Sequence, residues 1–103
     1  YRVMKLERVL TNKEERAAEE RLFKAIMSLR NLDEHRAFFG DIFTPAELQS
    51  IKDRWLVAEF LNQGYTYREI NSMTGVSVTT IGRVARFLYD GSDGYALALK
   101  RIK

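Results

Sequence analysis

The stretch from Tyr67 to Phe87, YREINSMTGVSVTTIGRVARF, constrains the fold of this chain more than any other. Gly75 lies between two short helical patterns and can take a positive φ angle, and Ser77 is placed to cap a helix that begins at Val78. The pattern predicts a helix-turn-helix, whose second helix, residues 78–88, is suited to the major groove of DNA. The apolar residues at helical spacing on the two sides of the turn are Ile70 and Met73, then Val78, Ile81, Val84 and Leu88.

Residues that lie off this apolar stripe carry side chains suited to nucleic acid, because short hydroxyls and guanidinium groups hydrogen-bond base edges and phosphates. Thr79 and Thr80 are predicted to contact bases, although threonine is also common at an exposed helix start. Arg68 is predicted to bind a phosphate, the alternative being an ion pair with Glu69 or another nearby carboxylate. The whole predicted DNA-contacting set is Tyr67, Arg68, Asn71, Ser77, Val78, Thr79, Thr80, Gly82, Arg83 and Arg86.

Two members of this set are unusual for a helix-turn-helix. Many such units have a small residue where Asn71 stands, so its polar side chain indicates a wider helix crossing or a contact to DNA. Gly82 lies inside the recognition helix, where glycine costs about 1 kcal/mol relative to alanine. It either permits close approach of the backbone to DNA or leaves the helix partly disordered until DNA binds.

Composition predicts that these motifs belong to one folded domain spanning residues 1–103. The chain has 103 residues, of which 46% are apolar and 30% charged, and it has no cysteine, which excludes disulfides and thiolate metal sites. His35 has no partners at metal-ligand spacing, and no catalytic motif is visible. No apolar run reaches the roughly 20 residues of a membrane helix. We expect an intracellular protein that is neither an enzyme nor a metal or membrane protein.

Positive charge is concentrated in the half of the chain that holds the motif. Residues 1–50 contain nine basic and nine acidic residues, whereas residues 51–103 contain eight basic and five acidic ones. A polyanionic partner favours such a distribution. One copy offers few cations for the several phosphate contacts that DNA affinity requires, and dimerisation would double their number.

Six helices are predicted, and no convincing strand pattern is present. Two capping boxes give the clearest starts, Thr44 with Glu47, where Pro45 takes the first helical position, and Thr66 with Glu69. The predicted N-terminal dimerisation arm spans 12–40 and contains two helices. The first covers 13–30 and is capped by Asn12, and the second is capped by Asp33, runs to Phe39 and is ended by Gly40. The other predicted segments are a central core helix at 44–64, the helix-turn-helix at 66–89, a loop at 89–94 and a C-terminal helix at 95–103.

The apolar side chains of the outer helices need a surface to cover them. The central helix has apolar residues on more than one face, which predicts burial on several sides. Small three-helix DNA-binding cores close on far fewer residues than this chain contains, so the arm and the last helix are predicted to bury themselves against a second copy. A symmetric homodimer would also space two recognition helices for a palindromic site.

Residues 43–88 resemble the Trp repressor superfamily, and within it the YerC/YecD-type branch. The residues that carry the resemblance are Thr44, Pro45, Glu47, Arg54, Gly64, Arg68, Glu69, Ile70, Gly75, Thr80, Ile81 and Arg83. The resemblance implies an all-α, six-helix fold, an intertwined homodimer with interlocking outer helices, and a helix-turn-helix on each side. It also implies a location in the bacterial cytoplasm or nucleoid.

The same resemblance raises the question of a small-molecule co-repressor. In tryptophan-sensing relatives a threonine before the proline and two arginines surround the amino acid, and Thr44, Arg54 and Arg83 match them. Val84 stands where those relatives have a glycine that makes room for the indole, and Phe87 stands where they have a small hydroxyl. Tryptophan binding is therefore not expected and no cofactor is predicted; another small ligand is the less favoured alternative.

The candidate pocket residues also have structural interpretations. Phe87 would fill the vacant ligand site, and Thr44 would act only as a helix cap. Arg54 would pair with a carboxylate such as Glu47 or Glu59 at the dimer interface. Under these interpretations no ligand is needed.

The function predicted is sequence-specific binding of double-stranded DNA by a homodimeric transcriptional regulator, with repression as the default outcome. Two alternatives stay open: a helical module that binds a protein partner, and a non-specific nucleic-acid-associated protein. A regulator should prefer one site by ~10³-fold or more over random duplex. A non-specific binder should show a steep salt dependence and no preference, and an interaction module should not bind DNA tightly.

Overall fold

The computed structural model describes residues 8–102, which form helices and no strands. The helices are α1 (Asn12–Met27), α2 (Leu32–Ile42), α3 (Pro45–Asn62), α4 (Tyr67–Thr74), α5 (Val78–Asp90) and α6 (Gly94–Arg101). The predicted all-α, six-helix class is confirmed for this part of the chain. The chain divides into two compact units, one that ends at Ile42 and one that begins at Phe43.

The unit from Phe43 onward has a buried core with α5 at its centre, because α5 contacts α3, α4 and α6. Val57, Ile70 and Ile81 have no exposed surface, and burying such a side chain stabilises the fold by about 1.5–3 kcal/mol. The buried set is Val57, Ala58, Leu61, Ile70, Val76, Ile81, Val84, Ala85 and Leu88, with Phe60, Tyr95 and Leu99 packed against it.

Both predicted capping boxes of this unit are confirmed. The Thr44 hydroxyl accepts a hydrogen bond from the Glu47 N–H at 3.1 Å, and the Glu47 carboxylate accepts one from the Thr44 N–H at 2.9 Å. Thr66 and Glu69 make the same pair of bonds at 3.1 and 2.9 Å. The backbone N–H of Thr44 is the main reason that the pKa of Glu47 lies below its ordinary value, and the Thr44 side chain adds to the effect.

Burial along α3 is confined to its C-terminal half, where Val57, Ala58 and Leu61 lie in the core. In the N-terminal half Ile51 is 43% exposed, and even in the C-terminal half Leu56, just before the core residues, is 37% exposed. The prediction that α3 is buried on several sides is therefore wrong for the single chain. The sequence pattern indicates which faces of α3 are apolar, but one copy of the chain does not cover all of these faces.

The first unit, described from Arg8 to Ile42, consists of α1 and α2, and neither helix contains a buried side chain. Ion pairs join Arg8 to Glu15, Lys24 to Glu20 and Arg36 to Asp33. Large apolar side chains are exposed, namely Leu22 (37%), Phe23 (53%), Met27 (81%), Leu32 (72%) and Ile42 (49%). This unit therefore presents an apolar surface that its own residues do not bury.

The start of α1 differs from the prediction. Thr11, and not Asn12, caps the helix: its hydroxyl accepts from the Glu14 N–H at 3.1 Å, and the Glu14 carboxylate accepts from the Thr11 N–H at 2.8 Å. This third capping box was missed because two adjacent residues, threonine and asparagine, are both good caps. A glutamate stands three residues after each of them, but Glu14 closes the box with Thr11 whereas Glu15 pairs with Arg8.

The junction of α1 and α2 also differs from the prediction. α1 ends at Met27 and not at Arg30. Asn31, and not Asp33, caps α2, because the Asn31 Oδ1 accepts a hydrogen bond from the backbone N–H three residues later at 2.9 Å. α2 does not stop at Gly40, which keeps an ordinary helical conformation, and it continues to Ile42.

At the other end of the chain, α5 continues two residues beyond the predicted end at Leu88, so that residues 89 and 90 are helical and not part of a loop. α6 begins at Gly94, one residue before the predicted start. The predicted helix end at Lys103, like the predicted domain start at Tyr1, lies outside the described residues. None of the described helices is long and apolar enough to cross a membrane.

Candidate nucleic-acid interface

The turn between α4 and α5 has the geometry that the sequence predicted. Gly75 takes the left-handed conformation, with φ 76° and ψ 0°, and its N–H donates to the carbonyl of Asn71 at 2.9 Å. The Ser77 hydroxyl accepts a hydrogen bond from the Thr80 N–H at 3.1 Å and caps α5. These bonds satisfy backbone groups that a helix end leaves without partners. The predicted positive φ at Gly75 and the predicted cap at Ser77 are both confirmed.

Two side chains hold this turn in a way that the sequence analysis missed. The Thr74 hydroxyl donates to the carbonyl of Ile70 at 2.7 Å and accepts from the N–H of Val76 at 3.1 Å. The Asn71 Nδ2 donates to the carbonyl of Val76 at 2.8 Å. The amide of Asn71 therefore has a local structural use, which explains a polar residue at a position predicted to be unusual. Short polar side chains beside a glycine turn were the available signal.

The buried side of α5 is formed by Ile81, Val84, Ala85 and Leu88. Val78 is 54% exposed and Met73, on α4, is 49% exposed, so the prediction that both belong to the buried stripe is wrong. The helical period selects the i, i+3, i+4 and i+7 positions that start at Ile81. Val78, as the first residue of α5, lies one turn ahead of them and faces solvent.

The predicted DNA-contacting residues lie along the exposed sides of α4 and α5. Thr80 and Gly82 are half-buried, and the others, Tyr67, Arg68, Asn71, Ser77, Val78, Thr79, Arg83 and Arg86, are exposed. The Thr80 hydroxyl accepts a hydrogen bond from the Ser77 hydroxyl at 3.1 Å and remains near the surface. The elements thus bring the predicted set together around one turn, with Thr79 the more accessible of the two threonines.

This surface carries positive charge that nothing in the unit neutralises. Arg68, Arg83 and Arg86 are exposed, and no ion pair joins any two of the side chains described from Phe43 to Ile102. Glu69 is engaged in its capping box, so the alternative ion pair with Arg68 does not form in this chain. Cations without intramolecular partners are available to phosphates.

Tyr67, at the start of α4, lies beside Gly82 of α5. A Cβ atom built at Gly82 would lie 4.0 Å from the Cε2 of Tyr67, which is an ordinary contact, and nothing else within 4 Å. The φ angle of Gly82 is not positive. Neither packing inside the chain nor backbone conformation therefore requires glycine at this position.

Four of the five candidate ligand residues line one cleft of about 290 Å³: Arg54, Arg83, Val84 and Phe87, together with Tyr95. Thr44 is not among the lining residues. Phe87 is 57% exposed, so it forms a wall of the cleft and does not fill it. Arg54 is exposed and makes no ion pair with a described carboxylate of its own chain.

Tyr95 is the cleft residue that the sequence analysis did not identify. Its ring stacks with that of Trp55, with the ring centroids 6.5 Å apart and the planes at 22°. It comes from α6, beyond the loop that follows α5, and no local pattern places it beside α3. His35, the candidate that was set aside as a metal ligand, has its Nδ1 2.7 Å from the carbonyl oxygen of Asn31. No group of three His, Asp or Glu residues suited to a metal ion occurs within residues 8–102.

A model of the family described as Trp repressor protein matches residues 17–103. The chain belongs to the Trp repressor family. It is 45% identical over 84 residues to the uncharacterized protein YerC of Bacillus subtilis (strain 168), an alignment that covers 82% of this chain and 81% of YerC. The resemblance predicted from the residues around the helix-turn-helix is thereby confirmed.

Solved structures agree with this assignment. The structure of a TrpR like protein from Eubacterium eligens ATCC 27750 has a TM-score of 0.81 and 44% identity, covering 88% of this chain and 94% of that one. A second structure, from Staphylococcus aureus, has a TM-score of 0.80 and 41% identity, covering 89% of this chain and 94% of that one. The Trp-repressor-like fold is confirmed, and membership of the family supports a helix-turn-helix DNA-binding regulator in general terms.

Proposed function

We propose that this protein is a homodimeric transcriptional regulator that binds double-stranded DNA sequence-specifically, inserts α5 into the major groove and acts as a repressor. The observation that carries the proposal is the solvent-facing side of α5. From Val78 to Phe87 it presents Thr79, Arg83 and Arg86 and no acidic residue. Guanidinium and hydroxyl groups on a helix that follows a capped turn are suited to base edges and phosphates.

The proposed contacts follow from position on the two helices. Thr79 and Thr80 occupy the first turn of α5, which is the part of a recognition helix that contacts bases. Arg68 stands in the first turn of α4, the helix that crosses the phosphate backbone, and we assign it to a phosphate. Arg83 and Arg86 lie further along α5 and contact either a guanine or the backbone. The hydrogen bonds that Thr74 and Asn71 make to Val76 hold the turn between α4 and α5, on which the positions of these contacts depend.

The proposed dimer accounts for the apolar surface of the first unit. Side chains such as Phe23 and Met27 are 53% and 81% exposed, and a sequence with no buried residue between Arg8 and Ile42 gains little from folding alone. Ile51 and Leu56 of α3 add further exposed apolar surface. A second copy that packs against both regions removes this surface from water. It also doubles the number of arginines that face DNA.

The proposed regulator acts without tryptophan and has no cofactor. Val84 lines the cleft next to Arg83 and carries three side-chain carbons where tryptophan-sensing relatives have a glycine that makes room for the indole. We also propose that the protein is located in the bacterial cytoplasm or nucleoid, since its relative YerC comes from a bacterium. Addition of tryptophan is expected to leave DNA affinity unchanged.

Selection from a random duplex DNA library at near-physiological salt, run beside the double variant Thr79→Ala/Thr80→Ala, tests the proposal. The wild type is expected to enrich one palindromic site and to prefer it by ~10³-fold or more over random duplex. The double variant is expected to relax base preference while it remains dimeric, because only the hydroxyl and methyl groups of one exposed and one half-buried side chain are removed. Retained specificity in the variant would contradict the assignment of these threonines.

Arg68→Ala separates backbone contact from base recognition. It is expected to weaken binding to all duplexes about equally and to lower the slope of log affinity against log salt by about 1. Arg101→Ala, which removes an exposed arginine of α6 outside the proposed surface, is the matched control and is expected to change neither. Loss of affinity confined to one base pair would contradict the phosphate assignment. Tight binding without sequence preference would favour the non-specific alternative, and no DNA binding by a folded dimer would favour the protein-interaction module.

A further inference from the structure

Gly82 is the residue of α5 that nothing inside the chain explains. Glycine in a helix interior is less favourable than alanine. A Cβ at this position would meet only the Tyr67 ring, at the ordinary distance of 4.0 Å, and the backbone has no positive φ angle. The glycine nevertheless lies among the residues that we assign to DNA. An external partner that occupies the space of the missing side chain would explain it.

Apolar groups border this space on the side toward the start of α5. With about 100° between successive helical residues, Val78 and Thr79 lie one turn before Gly82 on the same side of α5, and Arg86 lies one turn after it. Val78 is 54% exposed and carries two methyl groups, and Thr79, which is also exposed, carries one methyl group beside its hydroxyl. Tyr67, 42% exposed, stands beside Gly82. We call this arrangement of Tyr67, Val78, Thr79 and Gly82 the notch; its floor is the helix backbone.

We propose that the notch binds the 5-methyl group of a thymine in each half of the DNA site. Of the groups on base edges in the major groove, the thymine methyl is the apolar one, and it is contacted by apolar side chains and by threonine methyls. Arg83 and Arg86 lie on the same exposed side of α5 and supply the positive charge that holds the DNA backbone near the notch. The surface therefore combines a general attraction to DNA with one small apolar recess.

This inference rests on the proposed function and adds a specific base to it. Between Val78 and Phe87, α5 has no amide side chain for adenine and no carboxylate for cytosine. Its exposed side offers guanidinium groups, which suit guanine, and methyl groups, which suit thymine. Thymine recognition through the notch thus gives this helix a second source of base preference besides its arginines.

Replacement of each thymine of the selected site in turn by deoxyuridine tests the proposal, because uracil keeps base pairing and lacks only the methyl group. At one position in each half-site the change is expected to lower the affinity of the wild type about four-fold, the factor that corresponds to one buried methyl group. Deoxyuridine at the remaining positions serves as the control within the same duplex.

Gly82→Ala is the matched protein variant, since it places one methyl group in the notch. The variant should fold, because the added Cβ meets only a tyrosine ring edge at 4.0 Å, and its melting temperature should rise. It is expected to bind the thymine duplex more weakly than the wild type does. It is also expected to lose the preference for thymine over uracil, since its own methyl group occupies the recess.

Two results would contradict thymine binding by the notch and leave the proposed function intact. One is a selected site with no thymine at which uracil lowers affinity. The other is a Gly82→Ala variant that keeps the wild-type affinity and the wild-type preference for thymine. Failure to select any site would overturn the proposed function and the notch with it. Arg101→Ala, at an exposed residue of α6 outside the notch, is the control and should keep the thymine preference; loss of the preference in that variant would contradict recognition at the notch.

Discussion

The two units of this chain differ in what they do with their apolar side chains. From Phe43 onward, four helices place residues such as Ile70 and Ile81 in a core where neither has exposed surface. From Arg8 to Ile42, α1 and α2 have no buried residue, and Met27 is 81% exposed. The first arrangement has its own source of stability, whereas the second leaves apolar surface in water.

The units also differ in the use of charge. The described ion pairs all lie in the first unit, and the basic side chains on α4 and α5 of the second have no intramolecular partners. Exposed ion pairs contribute little to stability, so they do not make up for the missing core. The second unit thus combines a core of its own with basic side chains that make no ion pair inside the chain. The first unit is built for contact with another apolar surface, which we propose is a second copy.

The largest expected effect is a loss of stability in the second unit. Ile70→Ala removes a side chain with no exposed surface from the core beneath the helix-turn-helix and should lower the free energy of unfolding by about 2–5 kcal/mol. Denaturant unfolding at one fixed protein concentration measures it. Leu97→Ala on α6, where the side chain is 47% exposed, is the matched control and should cost much less. Equal losses in the two variants would contradict the position of the core.

A smaller effect is expected in the first unit, and on self-association rather than on the core. Phe23→Ala removes a ring that is 53% exposed in the single chain and that we place in the dimer interface. The dimer dissociation constant should rise about ten-fold or more, as truncation of a buried aromatic anchor does elsewhere. Analytical ultracentrifugation over a dilution series measures it. Lys24→Ala, the adjacent exposed residue, should leave the constant unchanged, and a Phe23→Ala variant that associates like the wild type would exclude this face from the interface.

The smallest expected effect is on the pH dependence of stability, to which both units contribute. Capping hydrogen bonds lower the pKa of Glu14, in the first unit, and of Glu47, in the second, below the ordinary value of 4.5. Each carboxylate therefore contributes stability above that value, and the contribution is lost as pH falls through the lowered pKa. Unfolding of Glu47→Gln should depend less on pH than that of the wild type from about pH 5 downward. Identical slopes would contradict a preference of the capping box of α3 for the ionised form of Glu47.

Local spacing explains why much of the second unit could be predicted from the sequence. Thr44 with Glu47, and Thr66 with Glu69, stand three residues apart, which alone determines a capping box. Gly75 and Ser77 likewise act within a few residues of their own positions. Such features depend on the chain nearby and not on the tertiary structure.

Tertiary contacts explain what could not be predicted. Val57 of α3 has no exposed surface, whereas Val78, which continues the helical spacing of the buried residues of α5, is 54% exposed. Both depend on which side of a helix meets a neighbour. Tyr95 comes to the cleft from another helix, and spacing in the sequence carries no direct signal for that contact.

The most direct test of the proposed homodimer is the number of chains that bind one duplex carrying the selected site. Light scattering of the purified complex, together with protection of the duplex from cleavage, measures it. We predict two chains per duplex and two inverted half-sites about 34–36 Å apart, one turn of the double helix. One chain per duplex, protecting a single site without inverted symmetry, would contradict a homodimeric regulator.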